Sequence, residues 1–272
     1  MEFVISTSSE PATAAREIEA LVRPFTGPWT GVRPTARGFS SDVTVLVDGE
    51  KGAFFVKAMW NRPGGRRDSL VREGLVNPFV RAVAPALVWE AESEEWLVLG
   101  FEAVEGRSSG FLPGSPDLPA VVAAVARIGE IGLPEVAREW TETRWDRFAV
   151  DSQEAALFRG DALLYTDINP SNLMIGDGTT WAVDWAWPTR GAAFIDPACL
   201  VIQLVAAGHE PAEAEAWAAH CPAWTRADPC AIDAFARANV RMHEAFAVRR
   251  PEADWLKAMA ASARKWAAHR GL

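Results

Sequence analysis

Cysteine is scarce in this 272-residue chain. The three present, Cys199, Cys221 and Cys230, are odd in number and far apart, which argues against a disulfide framework. No run of about 18 apolar residues occurs, so no membrane-spanning helix is expected. The opening residues, MEFVISTSSEP, lack a basic segment followed by an apolar one, so a secretory signal is not expected. These absences lead to the expectation of a cytoplasmic protein with no membrane partner. The formal charge is −9, and no basic block or aromatic–basic interleaving occurs, which speaks against a nucleic-acid partner. A Walker A sequence is missing as well, so a P-loop kinase is not supported. Tyrosine occurs once against 13 tryptophans, a ratio for which the residues offer no physical reason.

What remains is ordinary in bulk. With 49% hydrophobic and 23% charged residues, the chain suits a globular protein of one large domain or two lobes. Residues 12–23 carry apolar residues at helical spacing. DVTVLVDGEKGAFFVKAMW then alternates around a Gly-containing turn and predicts a β-hairpin. NRPGGRR reads as a loop, and SLVREGLVNPFVRAV as a helix bent or ended near Pro78. LVWEAESEEWLVLGF predicts a second hairpin turning at its Ser-Glu. GFEAVEGRSSGFLPGSP reads as a linker. Beyond about residue 117 the chain is mainly helical, including LPAVVAAVARIGEIG, TRWDRFAVDSQEAALFRG and four segments after residue 197. Only LLYTDINPSNLMI and TTWAVDWAW, joined by GDGT, interrupt the helices with β-like runs. The expectation is an α+β chain with a strand-rich N-terminal part and a mainly helical C-terminal part.

Polar residues set into apolar runs need partners or a task. Lys57 lies late in the apolar run AFFVKAMW, and Glu73 falls in the helix that follows. Asp167 and Asn172 share the loop before one β-like run, and Asp184 follows another. A strand-borne lysine paired with a helix glutamate can hold nucleotide phosphates. An asparagine and an aspartate at adjacent hairpin ends can supply oxygen ligands to Mg²⁺. The remaining aspartate can accept a hydroxyl proton during phosphoryl transfer. Singly, each has a plain structural reading: a snorkelling lysine, a solvated helix glutamate, a turn aspartate. Their order and spacing together favour a nucleotide site.

The set resembles the aminoglycoside phosphotransferase family, small-molecule kinases with a protein-kinase-like two-lobed fold. YTDINPSN resembles that family's H-G-D-x-x-x-x-N loop, and VDWAWPTRGAAFIDPA its I-D-W/F…G-x-x-x-x-D-x-A stretch. GFEAVEGR is similar to the family's hinge, and RGFSSDVTVLV, with its single Gly38, to the phosphate-covering hairpin. The resemblance implies an N-terminal nucleotide-binding lobe over 1–101, a hinge over 102–106 and a helical lobe over 107–272. It implies that Asp167 orients or deprotonates the acceptor hydroxyl, that Asn172 and Asp184 hold Mg²⁺, and that Lys57, positioned by Glu73, contacts the phosphates of ATP or GTP. Backbone groups of Glu102 and Val104 would meet the adenine edge, Phe101 would line the back of the pocket, and Asp196 would brace the catalytic loop. The chain departs from the family at Tyr165-Thr166, where His-Gly is usual, and Tyr165 is expected to fill the histidine's space.

Two other patterns carry less. GRSSG, residues 106–110, fits a nucleophile elbow, but FLPGSPDLP cannot supply the helix that motif requires. His209, His220, Cys221 and Cys230 lack the close spacing of zinc ligands and read as core cysteines and surface histidines. For the acceptor, a hydroxylated small molecule such as an antibiotic or metabolite is expected. From Arg226 to Leu272 the chain has nine Lys/Arg and five Asp/Glu, a net +4. That balance, with Trp217, Trp224, Trp255 and Trp266 as flat surfaces, favours a neutral or nucleoside-like acceptor over a polycation. A nucleotide-binding, pseudokinase-type regulator is the alternative; the filled positions at Lys57, Asp167, Asn172 and Asp184 favour the enzyme.

Overall fold

A computed structural model describes residues 11–35 and 41–272, and divides the chain into two compact units. The first comprises residues up to Glu105 together with Asp184–Trp187; the second comprises Gly106–Val183 and Pro188–Leu272. Gly38 lies outside the described residues.

In the first unit, helix α1 (Pro11–Thr26) precedes strands β1 (Trp29–Pro34), β2 (Val43–Gly49) and β3 (Gly52–Trp60). Helix α2 (Gly65–Val80) follows, then β4 (Leu87–Glu92) and β5 (Trp96–Glu102). The five strands form one antiparallel sheet in the order β1-β2-β3-β5-β4. Side chains alternate across it. Val43, Val45, Val47, Val56, Ala58, Trp96 and Val98 pack with Ala14, Ile18 and Val22 of α1. On the opposite face Phe55, Met59, Leu97, Leu99 and Phe101 pack with Leu70 and Val71 of α2. Lys57 falls on this second face by the same alternation. At Gly100 a Cβ would stand 2.1 Å from the ring of Trp89, its partner across the β4–β5 pair, so this pairing requires glycine.

Both predicted hairpins form, their turns at Glu50-Lys51 and Ser93–Glu95. Two details differ from expectation. The edge strand β1, with little alternation in its sequence (WTGVRP), was not expected. Helix α2 begins at Gly65, inside the expected loop; its end at Val80 lies near Pro78, as expected. Proline has no N–H to donate to the Gly74 carbonyl, and the helix ends two residues after it.

The second unit is mostly helical. Strand β6 (Arg107–Ser108) lies inside the expected linker and pairs with Met174 and Ile175. Helix α3 (Leu118–Ile128) leads to the segment TRWDRFAVDSQEAALFRG, which is not one helix. It forms a single 3₁₀ turn (Asp146–Phe148) and a short helix α4 (Ser152–Ala156). Asp151 separates them by accepting the backbone N–H groups of Gln153 and Glu154 at 2.9 and 2.8 Å. Strands β7 (Ala162–Leu164), β8 (Leu173–Ile175), β9 (Thr180–Ala182) and β10 (Thr189–Gly191) make two small sheets, β10-β7 and β6-β8-β9. The C-terminal helices are α5 (Ile195–Ala206), α6 (Pro211–Ala218), α7 (Pro222–Thr225), α8 (Pro229–Arg249) and α9 (Asp254–His269). Helix α5 is buried along nearly its whole length, so even its Asp196 sits away from water. Among the described residues, no helix is long and apolar enough to cross a membrane.

Candidate active site

Period-two alternation puts Lys57 on the α2 face of the sheet, and the buried stripe of α2, Leu70, Glu73, Val76, Asn77 and Val80, puts Glu73 opposite it. The Lys57 ammonium donates to Glu73 Oε1 and Oε2 at 2.7 and 2.9 Å and to Asp184 Oδ1 at 2.7 Å. Glu73 Oε1 also accepts the Trp185 N–H at 3.2 Å. Burial pushes the Lys57 pKa down, but the Glu73 and Asp184 carboxylates outweigh it, and the net direction is up. The ammonium therefore stays charged. The Phe101 ring centroid lies 6.0 Å from Lys57 Nζ. Asp184 sits at φ 63°, in the left-handed region. Glu102 closes β5 and spends its N–H on Ala86 O at 2.9 Å. Val104 follows in the same segment and is half-buried.

The second cluster lies in the loop between β7 and β8. Asn172 Nδ2 donates to Asp167 O at 3.2 Å, so the two predicted residues do meet. Asp196 Oδ2 and Oδ1 accept the N–H groups of Tyr165 and Thr166 at 3.0 and 2.7 Å. Burial raises the Asp196 carboxyl to about 6 against the pull of those two bonds. The Tyr165 hydroxyl donates to Val183 O, and Val183 N–H donates to Asn172 O at 2.9 Å. Thr166, where the resembling family has glycine, adopts φ 62°. Nearby, the buried Glu142 carboxylate is bonded by Arg144 and by Thr189 Oγ1. Burial alone would raise its pKa, but the Arg144 bonds and charge take it below the usual value.

Asn169 was not anticipated. Its Nδ2 donates to Asp167 Oδ1 at 3.0 Å. In the sequence it reads only as an Asx turn before proline, and that Asn-Pro between two site residues is the one signal that could have pointed to it. Other expectations need correction. Trp224 and Trp266 are buried packing residues, the latter donating to Glu215 Oε1 at 2.7 Å, so neither offers a ligand surface; Trp255 is exposed and Trp217 half-buried. His209 is a core residue, its Nε2 2.9 Å from Phe111 O, and Cys230 is exposed. After Ser108, no helix begins before Leu118.

Taken singly, the Asn172 amide oxygen and the Asp184 carboxylate are each hard oxygen groups of the kind that magnesium prefers. Asn172 uses its amide nitrogen on the loop itself, which leaves oxygen as its donor atom to a metal.

No family model and no curated protein matches the sequence. Solved structures do resemble it. Choline kinase LicA from Streptococcus pneumoniae is similar with a TM-score of 0.67 at 11% identity, over 94% of this chain and 99% of that one. An aminoglycoside phosphotransferase from Alicyclobacillus acidocaldarius gives 0.63 at 13% identity, over 98% and 96%. Aminoglycoside 2'-phosphotransferase-IIIa, solved as its GDP complex, gives 0.55 at 13% identity, over 93% and 98%. The chain has the protein-kinase-like α+β fold shared by these phosphotransferases. At such identities the likeness is one of fold.

Proposed function

We propose that this chain is an O-phosphotransferase that moves the γ-phosphoryl group of ATP or GTP, with Mg²⁺, to a hydroxyl of a small molecule. The Lys57–Glu73–Asp184 cluster carries this reading. A buried ammonium held by two carboxylates carries a desolvation cost that apolar packing would avoid, and a positive charge held there suits nucleotide phosphates. Lys57 would meet the nucleotide phosphates, with Glu73 fixing its position. Residues 102–106 would form the hinge between a nucleotide lobe (1–101) and an acceptor lobe (107–272), with Phe101, Glu102 and Val104 around the base. Asp167 would take the acceptor proton as the hydroxyl attacks, and Asp196 would hold its loop in shape. Asn172 and Asp184 would ligate Mg²⁺, which neutralises phosphate charge when bound. Catalysis is then chiefly positioning and charge stabilisation. The +4 balance of residues 226–272, with exposed Trp255 and half-buried Trp217, supports a neutral or weakly charged natural product, such as an antibiotic, over a polycation.

A panel of hydroxyl-bearing antibiotics and metabolites, incubated with the protein, Mg²⁺ and ATP or GTP, tests this by mass spectrometry. A product heavier by one phosphoryl group is expected. Asp167→Asn should lower turnover by about 10²–10⁴-fold while leaving nucleotide affinity intact. Nucleotide binding without any Asp167-dependent product would overturn the kinase reading in favour of a regulator.

A further inference from the structure

Between Asp167 and Asn172 the chain makes a turn whose centre is one side chain. Asn169 Oδ1 accepts the N–H groups of Ser171 and Asn172 at 2.9 and 3.1 Å. Its Nδ2 donates to the Asp167 carboxylate Oδ1 at 3.0 Å and to Asp167 O at 3.2 Å. These partners fix the amide's orientation, because a flipped group would set N–H against N–H and oxygen against carboxylate. Asp167 is exposed, and an exposed carboxylate on a loop has several rotamers available. A charge-assisted bond from a half-buried, turn-anchored amide selects one of them.

We infer that Asn169 is a positioning residue: its amide nitrogen aims the Asp167 carboxylate at the acceptor hydroxyl, while its oxygen builds the turn that carries Asn172. The inference rests on the reading of Asp167 as the group that meets that hydroxyl. Asn169 itself touches no reacting atom, and one amide would serve both the aspartate and the asparagine of the loop.

The two duties separate by substitution. Asn169→Asp keeps an oxygen acceptor for Ser171 and Asn172 but sets a carboxylate against Asp167 in place of the donor. Asn169→Ala removes both. If Asn169 only builds the turn, Asn169→Asp behaves as wild type and Asn169→Ala loses thermal stability and activity together. If it positions Asp167, Asn169→Asp lowers kcat by about 10- to 100-fold, with KM for the nucleotide and the thermal midpoint unchanged. The assay is Asp167-dependent phosphoryl transfer from MgATP to the acceptor found in the panel, or to water. Wild-type kcat in Asn169→Asp would overturn the inference. A second measurement needs no turnover: the Asn169 side-chain amide in ¹⁵N–¹H spectra, assigned by its loss in Asn169→Asp, should shift on Asp167→Asn. An unmoved resonance would overturn the contact itself. A shifted resonance in a wild-type protein that transfers no phosphoryl group would instead overturn the kinase reading and, with it, the positioning role.

Discussion

In the strand-rich unit, a buried ammonium is held between two carboxylates on the core face of a sheet. In the helical unit, an exposed aspartate is held by an asparagine amide, and its loop by backbone bonds to buried Asp196. The first arrangement ties site charge to the core that folds the unit. The second separates them: the exposed Asp167 carboxylate is held by a neutral amide, and its loop is tied to the buried Asp196 carboxyl only through backbone N–H groups. Substitutions in the first cluster should therefore cost stability and binding together, whereas substitutions in the second should cost chemistry first.

The largest stability effect is expected from Glu73→Ala. It leaves Lys57, 4% exposed, with one carboxylate in place of two and opens a gap in the α2 stripe. Breaking a buried pair in this way costs about 3–5 kcal/mol, read by urea denaturation. Nucleotide affinity should fall in parallel. A cost below about 1 kcal/mol would place the pair among weakly coupled surface pairs and undo the contrast.

Asp196 tests the contrast from the helical side, where it is the buried carboxyl that the loop carrying Asp167 bonds to. Its carboxyl, pushed by burial from the ordinary 3.8 to about 6, binds a proton more readily in the folded chain than in the unfolded one. Its contribution to stability is thus fully present below about pH 4 and is lost as pH rises to about 6, a difference on the order of 3 kcal/mol. Asp196→Asn, which stays neutral, should be more stable relative to wild type at pH 7.5 than at pH 4.5 in paired urea titrations. Turnover should move the other way, because an amide offers a single acceptor oxygen to the N–H groups of Tyr165 and Thr166. Equal stability differences at both pH values would remove the buried charge from the account.

Tyr165→Phe is smaller still. It removes the hydroxyl that donates to Val183 O and keeps the ring in its buried place. Leaving that carbonyl without this donor costs about 1–3 kcal/mol by thermal or chemical denaturation. As Tyr165 is the one tyrosine in the chain, its phenol absorbance reports the burial directly.

Residue patterns revealed most of the strand-rich unit because its strands alternate and its turns carry Gly or Ser. They singled out Lys57, Glu73, Asp167, Asn172 and Asp184 because polar residues in apolar runs stand out, and the structure joins the Lys57 ammonium to Glu73 and Asp184, and the Asn172 amide to Asp167. What stayed hidden is short or tertiary. Strand β1 has little alternation, and β10 is three residues long. The helical spacing of TRWDRFAVDSQEAALFRG is overridden by the Asp151 cap and by Glu154, which binds Arg237 and Arg241 of α8. The role of Asn169 depends on where one amide points, which spacing does not encode. Trp266 looked like a flat ligand surface until its burial and its bond to Glu215 made it a packing residue.

The smallest expected effect, Thr166→Gly, asks whether the loop stores strain. Thr166 holds φ 62°, which costs a β-branched residue about 1–2 kcal/mol, and it does so to turn its N–H toward Asp196. Glycine relieves that cost but adds about 0.5–1 kcal/mol of backbone entropy to the unfolded chain. It also deletes the bond from Thr166 Oγ1 to Tyr165 O at 2.7 Å. The difference is a stabilisation of at most about 1 kcal/mol, or a rise of about 1–4 °C in Tm by calorimetry. A fall would mean that the lost hydroxyl bond and the added backbone entropy together outweigh the strain. Thr166→Asn separates the two: asparagine tolerates the left-handed region and lacks the threonine hydroxyl, so a rise there with a fall in Thr166→Gly would locate the deficit in the unfolded chain. A fall in both would make the threonine hydroxyl the reason this loop tolerates a side chain at a left-handed position.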